Sequence, residues 1–465
     1  MKTSIFITII LFANTLTSGA FVKYVPFEYS TIQKAIDNSN DGDTIIIMDG
    51  VYHENIVIKN KNITVGSRFI VTGDTSYISK TIINGEKKGS VVSFLKGEQL
   101  MTCLSGLTLS NGSGKEGYFS DHGYVYDTVY YGGGIYVGDT CRPKLEYLNI
   151  INNKADYGGG VYCKSGLPKI TNVRISKNNA SRDGGGLYSV GSKYGFTINS
   201  SKITDNLAIR GGGIFYSGDF DHRCLHLIDT EIAHNTATYV GKYGYNSGGA
   251  LNSGNSRIIM ENVTLANNIG IYDFCMCNYY LEIHNSIVYK TKIFLISEHD
   301  TVNSTIVDYS NIENGQNNFI LDHAKLTWGI GNTTASPQFV NENNADYHLK
   351  STSPCINMGN PDSIYNDSDG TRNDIGAYEF SLTTNAFQQD ELNDVIIYPN
   401  PCSDYLYIKQ GQEKIKSILI YSLTGEILIY KDFDFDINMS SLKPNIYFLQ
   451  IRTENTIRNY KIIKY

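Results

Sequence analysis

Gly132-Gly133-Gly134-Ile135-Tyr136, Gly158-Gly159-Gly160-Val161-Tyr162, Gly184-Gly185-Gly186-Leu187-Tyr188 and Gly211-Gly212-Gly213-Ile214-Phe215 begin 26, 26 and 27 residues apart, and Gly248-Gly249-Ala250-Leu251 follows after a longer gap. Between them a second pattern, apolar-x-x-Asn-x-small, recurs at Ile150/Asn153/Ala155, Ile175/Asn178/Ala180, Ile203/Asn206/Ala208, Ile232/Asn235/Ala237 and Leu265/Asn268/Gly270. A period near 26 made of short β-branched stretches and glycine corners, without helical periodicity, describes one turn of a solenoid carrying about three short strands. Leucine-rich repeats are excluded by the missing Leu framework, and propellers by a period well short of about 40. Stacked turns pair in parallel and place alternate residues such as Val161 and Leu187 inside. Glycine triplets allow positive φ at tight corners. Asn at each equivalent corner is expected in the left-handed region, hydrogen-bonded to its copies as a ladder. These rows read as structural, and the fold class is all-β, a parallel β-helix.

The chain has 465 residues, 41% hydrophobic and 18% charged, with Lys+Arg 39 against Asp+Glu 46 for a net charge of −7. That is a folded, mildly acidic protein without the basic surface of a nucleic-acid binder, so no nucleic acid is expected as partner. Residues 1–20 carry Lys2, an apolar run over 5–13 and Ser18-Gly19-Ala20, the pattern of a signal peptide. Beyond it no run approaches the roughly 18 apolar residues of a membrane helix, so none is expected in the mature protein. All eight cysteines lie in the exported part, their pairing left open, and none stands in a set with zinc-ligand spacing.

Both ends of a solenoid need cover. Tyr29-Ser30-Thr31-Ile32-Gln33-Lys34-Ala35-Ile36 reads as a short amphipathic helix with Ile32, Ala35 and Ile36 on one face, followed by Asp41-Gly42-Asp43-Thr44-Ile45 and Gly50-Val51-Tyr52-His53-Glu54-Asn55-Ile56. This series resembles the entry of pectin-lyase-like β-helix proteins, and the glycine triplets and Asn corners resemble those of bacterial right-handed β-helix repeat proteins; the resemblance implies right-handed coiling. Pro337-Gln338-Phe339-Val340, Asp346-Tyr347-His348-Leu349, Ser353-Pro354-Cys355-Ile356-Asn357-Met358-Gly359 and Asp374-Ile375-Gly376-Ala377-Tyr378-Glu379 are similar to the choice-of-anchor Q closing segment, which implies a C-terminal cover. Within it Asp367 and Asp369 have the carboxylate spacing of calcium loops but lack the other ligands, and turn chemistry explains them more simply. No metal site or cofactor is expected; Asp367 and Asp369 are the weak candidate ligands, and calcium is the one cofactor they suggest.

The solenoid domain thus covers 21–380, a polar linker 381–390, and a third unit 391–465, where short strands at 395–398, 405–409, 415–421, 427–430, 446–451 and 456–464 suggest a small β-sandwich. Tyr398-Pro399-Asn400-Pro401, Ser422-Leu423-Thr424-Gly425, Leu442-Lys443-Pro444-Asn445-Ile446-Tyr447 and the basic end Lys461-Ile462-Ile463-Lys464-Tyr465 resemble a type IX secretion C-terminal sorting domain. The resemblance implies a Bacteroidetes-type source, the type IX machinery as partner of 391–465, and a secreted or cell-surface location.

Equivalent positions stack about 4.8 Å apart, so distant residues form rows on the outside. Asp156 is expected beside Arg182, and Asp183 beside Arg210, as exposed ion pairs that are also the weak catalytic candidates. Insertions at 112–131 and 238–247 enrich this corner in tyrosine, and Tyr124, Tyr126, Tyr130, Tyr131, Tyr157, Tyr239, Tyr243 and Tyr245 are the candidate substrate-binding residues. Rings beside polar groups suit the apolar faces and hydroxyls of sugars. The preferred reading is a surface protein binding a polysaccharide, surface glycan or matrix. The alternatives are a polysaccharide lyase acting on uronic-acid glycans, with Arg182, Arg210 or Lys202 as base, a glycoside hydrolase with Asp156 and Asp183 as its two carboxyls, and a non-catalytic stalk.

Overall fold

The computed structural model describes residues 20–97, 102–121, 124–191, 195–218, 224–239, 248–297, 304–367, 369–380, 396–398, 402, 404–409, 414–422, 427–432, 436–453 and 457–464. The segment read as a signal peptide, apart from Ala20, and the stretch 381–390 read as a linker lie outside these residues. Strands Ile135–Val137, Val161–Lys164, Leu187–Val190, Ile214–Ser217 and Gly248–Glu261 pair in parallel, each with the next turn. Their register runs Ile135↔Val161↔Leu187↔Ile214↔Leu251, and all five side chains are fully buried. A second line follows the same rule through Lys144–Ile151, Arg174–Ser176, Lys202–Thr204, Glu231–Ala233 and Thr264–Ala266. A column of aliphatic residues therefore fills the coil, each buried side chain worth about 1.5–3 kcal/mol against exposure. The parallel β-helix is the architecture the glycine period implies.

Asn153, Asn178, Asn206, Asn235 and Asn268 are buried in one file. Each Oδ1 from Asn178 onward accepts both the backbone N–H and the Nδ2 of the Asn one turn earlier, at 2.9–3.1 Å. Each Nδ2 also donates backwards to a carbonyl, those of Leu109, Ile150, Ile175, Ile203 and Ile232. The ladder stands as expected, with one correction. The left-handed residue is the one before each Asn, namely Asn152, Lys177, Asp205, His234 and Asn267 at φ 51–57°. That bend turns the following Asn inward, where its amide satisfies backbone groups that the corner leaves open. In the triplets the glycines act differently: Gly158 sits at φ 66°, whereas a Cβ on Gly185 would stand 2.4 Å from the Gly212 carbonyl oxygen of the next turn.

The helix Ile32–Asp37 closes the first turn as expected, with Thr31 Oγ1 accepting from Lys34 N, and with Ile32, Ala35 and Ile36 buried. Asp43 of the Asp-Gly-Asp motif is buried beneath it, accepting from Phe21 N, Asn40 N and Lys23 Nζ. Burial raises its pKa, but these donors outweigh burial and hold the carboxyl at about 2. At the other end the closing segment takes a different path from a cover over the mouth. It lies along the flank of the coil, because Ala233, Ala266 and Ile287 form an outward apolar strip that Phe339, Tyr347, Leu349, Cys355 and Ile375 bury. Asn311 Nδ2 holds Ala335 O at 2.8 Å, Tyr347 Oη meets Asn267 and His234 at 2.7 Å, Asn360 N reaches Asn285 Oδ1 at 2.6 Å, and Tyr378 Oη bonds Glu231. This strap thus crosses several successive turns.

In the last unit, Ile396–Tyr398, Tyr405–Lys409 and Asp436–Asn438 form one antiparallel sheet, and Ile427–Asp432, Ile415–Tyr421, Asn445–Thr453 and Ile457–Lys464 form another. Leu406, Ile418, Ile437, Met439 and Leu449 share the core between them, the sandwich that the strand spacing suggests.

Two expectations about stability follow. Replacing Asn206 by Ala removes the acceptor for two buried donors on Asn178 and the donor for two acceptors, at about 1–3 kcal/mol for each group left unmade. Asn206→Ala should lower the unfolding free energy of the solenoid by about 2–6 kcal/mol and its urea midpoint with it, while Asp205→Gly, at φ 56°, leaves the midpoint unchanged or higher; equal midpoints for Asn206→Ala and wild type would refute the ladder's role. The second concerns Asp367 at the strap's turn. Burial, then the neighbouring Asp374, Glu379 and Asp369 carboxyls, push its pKa up to about 7, and Asp374 and Asp229 are raised by burial too. A carboxyl whose folded pKa lies above its unfolded value favours folding when protonated, and that contribution is lost as pH rises from about 4 to about 7. Asp367→Asn should therefore raise the melting temperature at pH 7.5 and flatten its slope over that window, as read by calorimetry across pH.

Candidate functional site

The first insertion forms a β-hairpin, Lys115–Asp121 with Tyr124–Tyr131. It extends a six-stranded corner sheet whose other members are Lys154–Tyr157, Asn179–Asp183, Leu207–Ala208 and Thr236–Ala237. The side chains of residues 119–126, Tyr124 and Tyr126 among them, and all of Tyr243 and Tyr245 lie outside the described residues. Of the remaining candidates, Tyr130 is 41% exposed and Tyr131 and Tyr239 are half-buried, while Tyr118 on the hairpin is 63% exposed. Tyr157 is only 7% exposed, with Tyr131 at 5.6 Å, Tyr188 at 5.1 Å and the Arg182 guanidinium at 5.7 Å from its ring centre. The expectation that Tyr157 presents a ring to a ligand is therefore corrected: that ring is spent on packing.

A further file, Tyr136, Tyr162, Tyr188 and Phe215, stacks at 5.5, 5.5 and 5.1 Å beside it, at about 0.5–1.5 kcal/mol per pair beyond burial. These are the aromatic residues of the glycine motif itself. Their spacing was visible in the sequence, where only their outward position distinguishes them from core.

The charged row divides. Asp183 and Arg210 form the expected pair, bidentate at 2.6 and 2.6 Å, with the carboxylate buried, and the bond to that carboxylate holds the guanidinium pKa up against burial. Asp156 does not pair with Arg182. A register shift between Ala155 and Tyr157 displaces it, so that it accepts from Ser181 Oγ and from Tyr130 N at 2.8 Å, while Arg182 reaches Asp127 at 3.0 Å and the Tyr157 hydroxyl at 3.3 Å. Both residues thus fasten the hairpin to the coil. Asp183 is thus locked by Arg210 and Asp156 is occupied by Ser181 and the hairpin, so each carboxyl has partners of its own.

At the foot of the hairpin opens a cavity of ≈ 630 Å³, walled by Asn55, Lys87, Lys88, Ser90, Ser93, Ser113, Lys115, Glu116 and Tyr130. It lies between the first turns and the inserted strands, a juxtaposition the sequence hides because neither wall belongs to the periodic glycine motifs. A second cavity, ≈ 370 Å³, lies under the strap among Lys202, Asp229, Asp367, Asp374 and Glu379. Asp367 there accepts from Asp374 N, and Asp369 turns to Thr371 N and Oγ1, so the two candidate metal ligands serve separate turn bonds. Among the described residues no three His, Cys, Asp or Glu side chains converge in a way that could hold a metal ion. The thiols of Cys103 and Cys163 are pushed up to about 12 by burial, far from a reactive thiolate.

One polar row escaped the sequence reading. On the outer face, Arg257 meets Glu282 at 2.6 Å, Glu282 meets His284 Nε2 at 3.5 Å, and His284 Nδ1 meets Asp308 at 2.5 Å. Burial lowers the His284 pKa, but the two carboxylates prevail and hold it above the ordinary value. The signal was present as alternate polar residues in strands one turn apart, Glu261↔His284↔Asp308, but no glycine marks it.

Residues 396–465 match the family model of the secretion system C-terminal sorting domain. No curated protein matches the chain. Among solved structures, pectate lyase Pel9A is similar at a TM-score of 0.49 and 13% identity, covering 78% of this chain and 97% of that one. Pectin methylesterase PemA from Erwinia chrysanthemi aligns at a TM-score of 0.27 and 13% identity, covering 68% of this chain and 90% of that one. Likeness at this level carries no chemistry over to this chain. Among the described residues no helix is long and apolar enough to cross a membrane. The sorting domain is the address of type IX secretion, and through it the protein is exported to the cell surface or beyond.

Proposed function

We propose that this exported β-helix binds glycans along the corner that bears the hairpin. The observation that carries the reading is the hairpin foot, where the exposed ring of Tyr130 borders a cavity of ≈ 630 Å³ walled by hydroxyl, amide and ammonium groups. Sugars are recognised by that combination, an aromatic face against their C–H surface and short polar side chains for their hydroxyls. Tyr118, open on the neighbouring strand, extends the aromatic surface.

The geometry favours binding over cleavage. A lyase needs a base released from ion pairing, yet Arg210 is clamped by Asp183, Arg182 is joined to Asp127, and Lys202 lies 3.5 Å from Glu231 and 4.8 Å from the Tyr378 ring centre. Hydrolysis needs one carboxyl free to act as an acid, whereas Asp183 is held by Arg210 and Asp156 accepts from Ser181 and the Tyr130 N–H.

The mature protein is expected to retain members of a glycan array, and Tyr118→Ala/Tyr130→Ala to lose that retention by about tenfold or more with melting unchanged. Undiminished retention by the double variant would remove this corner as the site. Appearance of unsaturated product from uronic-acid polysaccharides would replace binding by lyase chemistry.

A further inference from the structure

We infer that the cavity at the hairpin foot receives the anionic units of such a glycan, sugars bearing a carboxylate or a sulfate; the inference rests on the glycan-binding reading above. The chain as a whole is acidic, at −7, yet this cavity is walled by three lysines and one carboxylate, Glu116. Lys88 is matched by Glu86 at 2.6 Å, whereas no described carboxylate pairs with Lys87 or Lys115. The two lysines come from separate elements, the turn that follows Thr81–Asn84 and the first strand of the hairpin, so their convergence on one space is a product of the fold. Lys87 occupies a left-handed turn at φ 58°, and its N–H donates to Asn111 O on the next turn at 2.7 Å, which fixes the base of the side chain. Lys115 begins the hairpin, and its Nζ lies 5.4 Å from the Tyr136 ring centre, an aromatic face that steadies the ammonium.

An anion entering this space meets Lys87 and Lys115 together with Ser93, Ser113 and Tyr130, all of which line the same cavity. A neutral sugar would use the ring and hydroxyls and leave both lysines unanswered. A charged one uses all three, and attraction between an exposed ammonium and a carboxylate or sulfate weakens as salt shortens the Debye length, about 10 Å at 0.1 M. Because Lys87 and Lys115 are exposed, replacing them tests recognition without disturbing the core.

The experiment measures binding of the full mature chain to polygalacturonate, dextran sulfate and neutral dextran at about 50 mM and about 500 mM salt. At least one of the two acidic polymers should bind more tightly than dextran, with affinity falling at high salt. Lys87→Gln/Lys115→Gln should weaken that binding about tenfold, and Lys169→Gln, on a distant strand, should not. Which acidic polymer is retained tells carboxylate from sulfate. Dextran binding equal to the acidic polymers, or a lysine double variant that binds as wild type, would overturn the charge assignment while leaving glycan recognition standing. If none of the three polymers binds and a broad glycan array is also blank, both readings fall together.

Discussion

The coil holds together only if a corner that cannot close its own hydrogen bonds borrows them from the turn above and the turn below. The Asn file does this, each amide from Asn178 to Asn268 accepting twice and donating twice in buried bonds. Its geometry admits one spacing between turns, and the glycine triplets are the complement of that spacing: where carbonyls of successive turns approach within reach of a Cβ, only glycine fits. The aliphatic column could tolerate a looser stack. The amides and glycines together do not, which is why the two strand lines that carry the aliphatic column keep unbroken register from Val161 to Ile214 and from Arg174 to Glu231.

The same rigidity makes the surface informative. A side chain at a given position of one turn finds its counterpart overhead, so aromatic residues pile into files and charges meet across turns. The inserted hairpin departs from this regularity and is then bound back into it, through Tyr131 opposite Tyr157, Arg182 to Asp127, and Asp156 to the Tyr130 N–H. Most of the charge and aromatic surface at this corner thus secures the insertion, and the open cavity is what remains beside it.

How far the sequence could be read divides along the same line. Glycine and Asn periodicity reports backbone geometry directly, so the solenoid, its interior and the ladder were legible, as were the capping helix and the motifs of the sorting domain. Which residue of the corner bends left was not, because Asn tolerates that conformation and the residues that actually take it, Lys177 and His234 among them, carry no such mark. Asp156 was misplaced because a single-residue shift of register changes its neighbour, and a repeat count cannot reveal a bulge. The cavity at the hairpin foot and the strap along the flank arise from contacts between segments with no shared period, and Tyr378 finds Glu231 across 147 residues.

The strap has a mechanical meaning. A chain delivered to a cell surface by its C-terminal end is liable to be pulled from that end. Here tension arriving at residue 380 meets first the bonds from Tyr378 to Glu231 and from Ala377 to Thr264, partway up the column, before it meets the final turns at Ile293–Ile296 and Phe319–Asp322. Those final turns are bypassed, and the load enters as shear along several strands at once in place of peeling that would open the terminal strand one bond at a time. A pull from that end would therefore be shared by the middle of the column and not fall on its last turn alone.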